Sequence, residues 1–255
     1  MKVTVCELSD DQALLASEWR NLVAHTTAVR SDFILLPEMP FHPWWMSAAR
    51  VDESIWNAAV ASHQDWRRRL AELNTLCVGG SFPAVRAGER INEGFLWEDN
   101  AYAPAHEKHF LPDEAGFREA AWYSRGNGAY AVAKARAFTV GFLICTELWS
   151  FEHAREYGKA GAHVIASPRS TLLATREKWL VGGRAAAVVS GAFSLSSNRR
   201  GASRDGVQFG GGGWIIDPDG QVLGVTSEAE PFLTIEIELE HAVRAKYTYP
   251  RDVFR

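Results

Sequence analysis

Phe138-Thr-Val-Gly-Phe-Leu-Ile144, followed at once by Cys145-Thr146-Glu147-Leu148-Trp149, is the stretch on which the fold turns. An apolar run of this length reads as a buried strand, and the abrupt polar break reads as a tight turn into a helix. Cys145 then sits at the edge of a sheet, aimed out of the core. A reactive thiol needs such a seat, because it must meet substrate while its base and charge partners stay fixed.

Working outward, short apolar runs alternate with helical stretches along the whole chain. Lys2–Glu7 reads as a first strand, and Ser9-Asp10-Asp11-Gln12 as a capping box opening a helix to about residue 28. Asp32–Pro37 reads as a buried strand ending before Glu38. A helix from about 54 to 74 puts Trp56, Val60, Trp66 and Leu70 on its inner side. Thr75–Pro83, Gly94–Pro104 and Arg136–Ile144 follow as strands. A helix at 151–160, a strand at 163–167, a helix at 176–190 and a strand at 192–197 come next. Ile215–Gly224 has a hairpin signature with Asp219-Gly220 at the turn, and Pro231–Leu239 closes the sheet. Gly210–Gly213 lacks the Lys-Ser/Thr of a phosphate loop and reads as a mobile loop. With βα alternation giving way to a late hairpin, residues 1–255 read as one α/β domain with a large mixed sheet system.

Composition narrows the function. Apolar residues make up 47% of the 255, enough for a continuous core. A net charge of −4 and a pI near 6.1 give no electrostatic reason to expect nucleic acid or an anionic membrane as partner. No run reaches the roughly 18–20 apolar residues that cross a bilayer. The first eight residues read as a strand rather than a signal peptide. Three cysteines without a CxxC make no disulfide framework, which suits a reducing cytoplasm. His106-Glu-Lys-His109 has a metal-like spacing but no third ligand nearby, so no metal is expected.

Taken singly, Glu38 reads as a solvated strand-end carboxylate and Lys108 as a surface lysine. Cys145 alone reads as a structural cysteine, as Cys6 and Cys77 do. Together they carry more, because all three lie at or beyond strand ends, where an α/β sheet gathers its functional groups. Their order and surroundings, Leu35-Leu-Pro-Glu-Met39, Glu107-Lys-His-Phe-Leu111, Gly141-Phe-Leu-Ile-Cys145 and Arg184-Ala-Ala-Ala with Ser197-Asn198-Arg-Arg-Gly201, resemble the nitrilase, or carbon–nitrogen hydrolase, superfamily. The resemblance runs over nearly the whole chain. It implies a four-layer αββα sandwich, a homodimer or larger homo-oligomer, and hydrolysis of non-peptide C–N bonds without metal or organic cofactor. It also implies the roles. Cys145 attacks the carbonyl to form a thioester, Glu38 shuttles protons, and Lys108 with the Thr146 N–H holds the oxyanion. Glu119, in Gly116-Phe-Arg-Glu-Ala-Ala-Trp-Tyr-Ser-Arg-Gly126, resembles the family's second glutamate, with Glu114 as the lesser candidate.

Departures from the better-known branches shape the expected substrate. Nitrilases usually carry Cys-Trp-Glu, whereas this chain has Cys145-Thr-Glu. Carbamoyl amino acid hydrolases of the D-specific kind carry paired arginines shortly after the thiol, where this chain has apolar Leu148-Trp149-Ser150-Phe151. Arg169, near the end of the following strand, is the remaining candidate for an anionic group. Trp44, Trp45, Trp122 and Trp149, with Phe41 and Tyr123, flank the catalytic segments and read either as core or as an apolar pocket. The favoured reading is a small aliphatic or aromatic primary amide releasing ammonia. A nitrile or N-carbamoyl substrate with the same chemistry is the alternative, and a binding protein on a degenerate scaffold fits poorly with an intact triad. The resemblance also implies that the tail Tyr247-Thr-Tyr-Pro-Arg251 packs on a neighbour.

Overall fold

The computed structural model describes residues 1–254. Its elements run β1 (Lys2–Ser9), α1 (Gln12–Val29), β2 (Phe33–Glu38), α2 (Glu53–Arg67), β3 (Cys77–Arg86), β4 (Glu89–Glu98) and β5 (Ala101–Glu107). Then come α3 (Glu119–Trp122), β6 (Ala133–Lys134), β7 (Thr139–Phe142), α4 (Phe151–Lys159), β8 (Val164–Arg169) and α5 (Arg176–Ser190). The chain ends with β9 (Phe193–Ala202), β10 (Gln208–Gly210), β11 (Trp214–Ile216), β12 (Val222–Val225), β13 (Phe232–Glu236) and α6 (Leu239–Ala245).

Two sheets follow from the pairing. One has the order β5-β4-β3-β2-β1-β13, the other β6-β7-β8-β9-β11-β12. They join where Glu7–Ser9 of β1 runs parallel to Asn198–Arg200 of β9. The strands at the heart of each sheet are parallel to one another, and hairpins complete the edges.

Why these runs are apolar at every position becomes clear from the faces. A strand turns alternate side chains to opposite sides, so one sandwiched between a second sheet and a helix layer must be apolar on both. Val3, Val5, Phe33 and Leu35 face Val140, Phe142, Val164, Ala166 and Leu195 across the inter-sheet core. Cys6, Leu8, Ile34 and Leu36 point the other way, under Leu15, Trp19 and Leu22 of α1. On the far side, Ile165 and Leu143 meet Tyr157 and Ala154 of α4 and Ala186 and Ala187 of α5. Helix, sheet, sheet, helix is the expected αββα order. Gly141 is dictated by this packing, because a Cβ there would lie 2.4 Å from the Tyr157 ring.

Several local readings need correction. The Gly94–Pro104 strand is two strands, β4 and β5, because Asp99 and Asn100 both adopt left-handed backbone (φ 51° and 62°) and turn a tight hairpin. The helix expected to reach residue 74 stops at Arg67. A 3-10 turn, Leu70–Leu73, then buries both leucines. Helix α1 is capped by Asp11, whose carboxylate accepts from the Ala13 N–H, rather than by a box starting at Ser9. The glycine run is not a free loop. Gly211–Gly213 is buried, and the Gly212 N–H donates to Glu7 at 2.7 Å. Gly211, at φ +54°, lies so close to that carboxylate that a Cβ would collide with it.

Candidate active site

Three sequence-distant side chains, from three elements, form one buried cluster. Glu38 ends β2, where pairing with β3 slips between Leu35 and Glu38. Lys108 directly follows β5, its backbone held by hydrogen bonds to Asn92 and Gly126. Glu119 opens α3. All three are 0% exposed. The Lys108 ammonium donates to Glu38 Oε1 at 2.8 Å and to both oxygens of Glu119 at 2.8 and 2.7 Å. Asn92, reached from β4, donates its amide to the same Glu38 Oε1 at 2.9 Å. Glu38 Oε2 is buried and accepts no hydrogen bond.

Cys145 completes the group from the second sheet. It opens a 3-10 turn, Cys145–Trp149, just past β7, and its φ of +50° is rare for a residue with a Cβ. Strain of this kind persists only where the surroundings over-determine it, and it presents the side chain clear of the strand. The surroundings here include Glu147, whose carboxylate accepts from the Ile144 N–H.

The charges decide the resting state. Burial alone would push the Lys108 ammonium down, but Glu119 and Glu38 outweigh it and hold the group well above its ordinary value. Burial pushes the Cys145 thiol up, Glu38 pushes it further, and Lys108 offsets only part. With two carboxylates and one ammonium around it, a resting thiolate is disfavoured. Cys6 and Cys77 are pushed up as well, by burial first. Burial also raises Glu119, against Lys108, to about 7.

A cavity of about 620 Å³ opens over the sulfur. Cys145, Thr146 and Trp149 line it, with Ser170, Thr171 and Leu172 after β8, Lys178 and Trp179 of α5, and Asp113, Glu114 and Phe117 opposite. Thr146 and Trp149 therefore stand where the sequence placed them. Two other expected residues do not. Trp122 is buried in an aromatic cluster with Trp44, Trp45, Phe117 and Tyr123, and its indole N–H donates to Ala48 O. Arg169 is 0% exposed and fully engaged behind the wall. Its guanidinium donates to Ser196 Oγ, Thr171 Oγ1 and Gly212 O, and lies 4.0 Å from the Trp214 ring centroid. Each of its three nitrogens is already committed to the protein, and the side chain has no exposure through which to meet a ligand. His106 and His109 turn to Glu147 and Gly126 O.

Sequence reasoning missed Asn92, Trp179, Lys178 and the Ser170–Leu172 segment. Asn92 carries no local motif, and only the β4–β5 pairing brings it opposite Lys108. Trp179 becomes a wall because α5 begins beside the turn that holds Trp149, with the two rings 5.1 Å apart.

Comparison with known proteins agrees with this fold. The profile of the carbon–nitrogen hydrolase family matches residues 2–247. An (R)-stereoselective amidase from Pseudomonas sp. is 26% identical over 260 residues, covering 99% of this chain and 91% of the relative. A carbon–nitrogen hydrolase from Helicobacter pylori G27 superposes with a TM-score of 0.84 at 18% identity, over 100% of this chain and 95% of that one. A variant of the amidase from Nesterenkonia sp. AN1, carrying acrylamide added to its active-site cysteine, superposes with a TM-score of 0.74 at 18% identity, over 95% of each chain.

Proposed function

The chain belongs to the carbon–nitrogen hydrolase family, and on that premise we propose that it is an amidase that cleaves a small primary amide through a thioester on Cys145. The observation that carries this reading is Glu38. One of its oxygens is held by Lys108 and Asn92, the other is buried with nothing bound to it, and the carboxylate's charge is felt by the Cys145 thiol. A proton acceptor set for structure alone would be satisfied on both sides.

The steps follow from the groups. Amide carbonyls are poor electrophiles, so a strong nucleophile, an oxyanion site and a proton for the leaving nitrogen are all needed. Because the resting thiol keeps its proton, the sulfur loses it to the free oxygen of Glu38 as the S–C bond forms. The carbonyl oxygen takes up negative charge, and the Lys108 ammonium and the Thr146 N–H are the donors within the site suited to hold it. Losing one such donor costs about 3–4 kcal/mol of barrier. The tetrahedral intermediate expels ammonia, protonated by Glu38. Water, deprotonated by the same carboxylate, then attacks the thioester, and the acid leaves with the sulfur restored to a thiol. Glu119, gripping Lys108 with both oxygens, keeps the ammonium in place throughout.

Trp149, Trp179 and Phe117 favour an aromatic or alkyl acyl group in the cavity. The test is ammonia release from primary amides, nitriles and N-carbamoyl compounds, each with wild type and Cys145→Ala. Amides turning over fastest, with activity lost in Cys145→Ala, is the expected result. Faster release from nitriles would move the assignment to another branch, and full activity in Cys145→Ala would end it.

A further inference from the structure

The carboxylate of Glu147 is buried and takes four donors into two oxygens. Its Oε2 accepts the Ile144 N–H at 3.0 Å and lies 2.8 Å from His106 Nε2. Its Oε1 accepts the His109 N–H at 2.8 Å and the Tyr130 hydroxyl at 2.9 Å. Ile144 is the residue before the thiol, in the β7 sheet. His106 and His109 bracket Lys108, at the end of β5 in the other sheet. Glu147 is thus a bridge between the two halves of the sandwich at the height of the reaction site.

We propose that Glu147 is a positioning residue, whose carboxylate pins the thiol-bearing turn of one sheet to the lysine-bearing strand end of the other and so sets the Lys108–Cys145 separation. The amidase reading is needed only for the kinetic part of the test. Two features make a carboxylate necessary. Each oxygen receives a backbone N–H, and a backbone N–H cannot reverse its role. A glutamine, in either flip, sets its NH2 against one of them. The neighbours also leave no substitute. Cys145 faces Glu38 from β2, Lys108 after β5, Glu119 from α3 and Arg169 from β8. Glu147 faces His106, Lys108 and His109, together with Tyr130 and Tyr157. Among the described residues, no other carboxylate accepts hydrogen bonds both from the thiol-bearing turn and from the backbone beside Lys108.

The experiment uses Glu147→Gln in the full chain, checked for native circular dichroism. Two outcomes are read, the rate of Cys145 alkylation by iodoacetamide at fixed neutral pH and the separate values of kcat and KM. If the ammonium drifts from the sulfur, alkylation slows by about tenfold, since the charge that favours thiolate is withdrawn. In parallel kcat falls by about tenfold or more with KM little changed, the signature of lost transition-state stabilisation. A turn that merely loosens would expose the thiol, so alkylation that is faster or unchanged overturns the proposal. Should Glu147→Gln not fold, Tyr130→Phe removes one donor at the partly buried edge. Alkylation slower by about two- to threefold is expected there, and an unchanged rate overturns the proposal. If alkylation responds while the wild type hydrolyses no amide, the amidase reading falls and the positioning role of Glu147 stands.

Discussion

Glu38 and Arg169 occupy matching places in the two sheets. Each is the last residue of a strand one step from the β1–β9 seam, and each is a charged group with no exposure to solvent. They differ in what remains unmet. Arg169 is bonded through Nε and both Nη atoms and stacked on Trp214, whereas Glu38 keeps one buried oxygen without a partner. Burying an unsatisfied carboxylate oxygen costs stability, so its retention marks a group kept for chemistry. A side chain bonded through every nitrogen and stacked on a ring is kept for architecture. Arg199 belongs with the second kind, since it anchors the backbone of Glu38 and Met39 while paired with Asp10 at 2.5 Å.

That contrast can be broken in a graded series. The largest effect is expected for Cys145→Ala, with amide turnover reduced by about 10⁴-fold or more and the fold intact by thermal melting. Glu38→Gln comes next. It keeps shape but not basicity, so turnover is expected to fall by about 10²–10⁴-fold with little loss of stability. Arg169→Met should do the reverse. Urea titration is expected to show a loss of about 2–4 kcal/mol from three orphaned acceptors, while kcat in the remaining folded protein changes far less. Equal loss of kcat in both variants would dissolve the distinction.

The pH response refines the same comparison. Glu119 is raised to about 7, chiefly by burial, so its proton is lost only as pH rises through that value. The carboxylate, not the acid, grips Lys108 through two oxygens. Activity is therefore expected to fall as pH drops through about 7, and Glu119→Gln should abolish that limb while lowering the plateau. A limb that survives in Glu119→Gln belongs to another group. The smallest effect is expected at the cavity wall. Trp149→Ala should raise KM by roughly tenfold for bulky amides and much less for small ones, with kcat nearly kept, as one lost aromatic contact would do.

Much of this was legible in the chain because the strongest signals are two-sided strands and sharp strand ends. A run such as Phe33–Leu36 must be apolar throughout to sit between a sheet and a helix layer, and Glu38 is conspicuous for following it. The positions of Lys108 and Cys145 were visible for the same reason. What escaped reading depends on pairing and packing. Asn92 reaches Glu38 only through the registers of β2 with β3 and of β3 with β4, and Trp179 reaches Trp149 only because α5 starts beside the 3-10 turn. Arg169 and Trp122 misled because proximity along the chain to a catalytic segment does not say which way a side chain faces. Glu147 stood in the first motif quoted and drew no attention, since four donors converging on one carboxylate come from three separate segments.

The most direct measurement is intact-protein and peptide mass spectrometry after rapid acid quenching of the wild-type protein during turnover of a primary amide, because Glu38 serves both the formation and the hydrolysis of the thioester. The account expects the mass of the acyl group, without ammonia, on the peptide that holds Cys145. Turnover with no acyl adduct, or an adduct on any other residue, would contradict it.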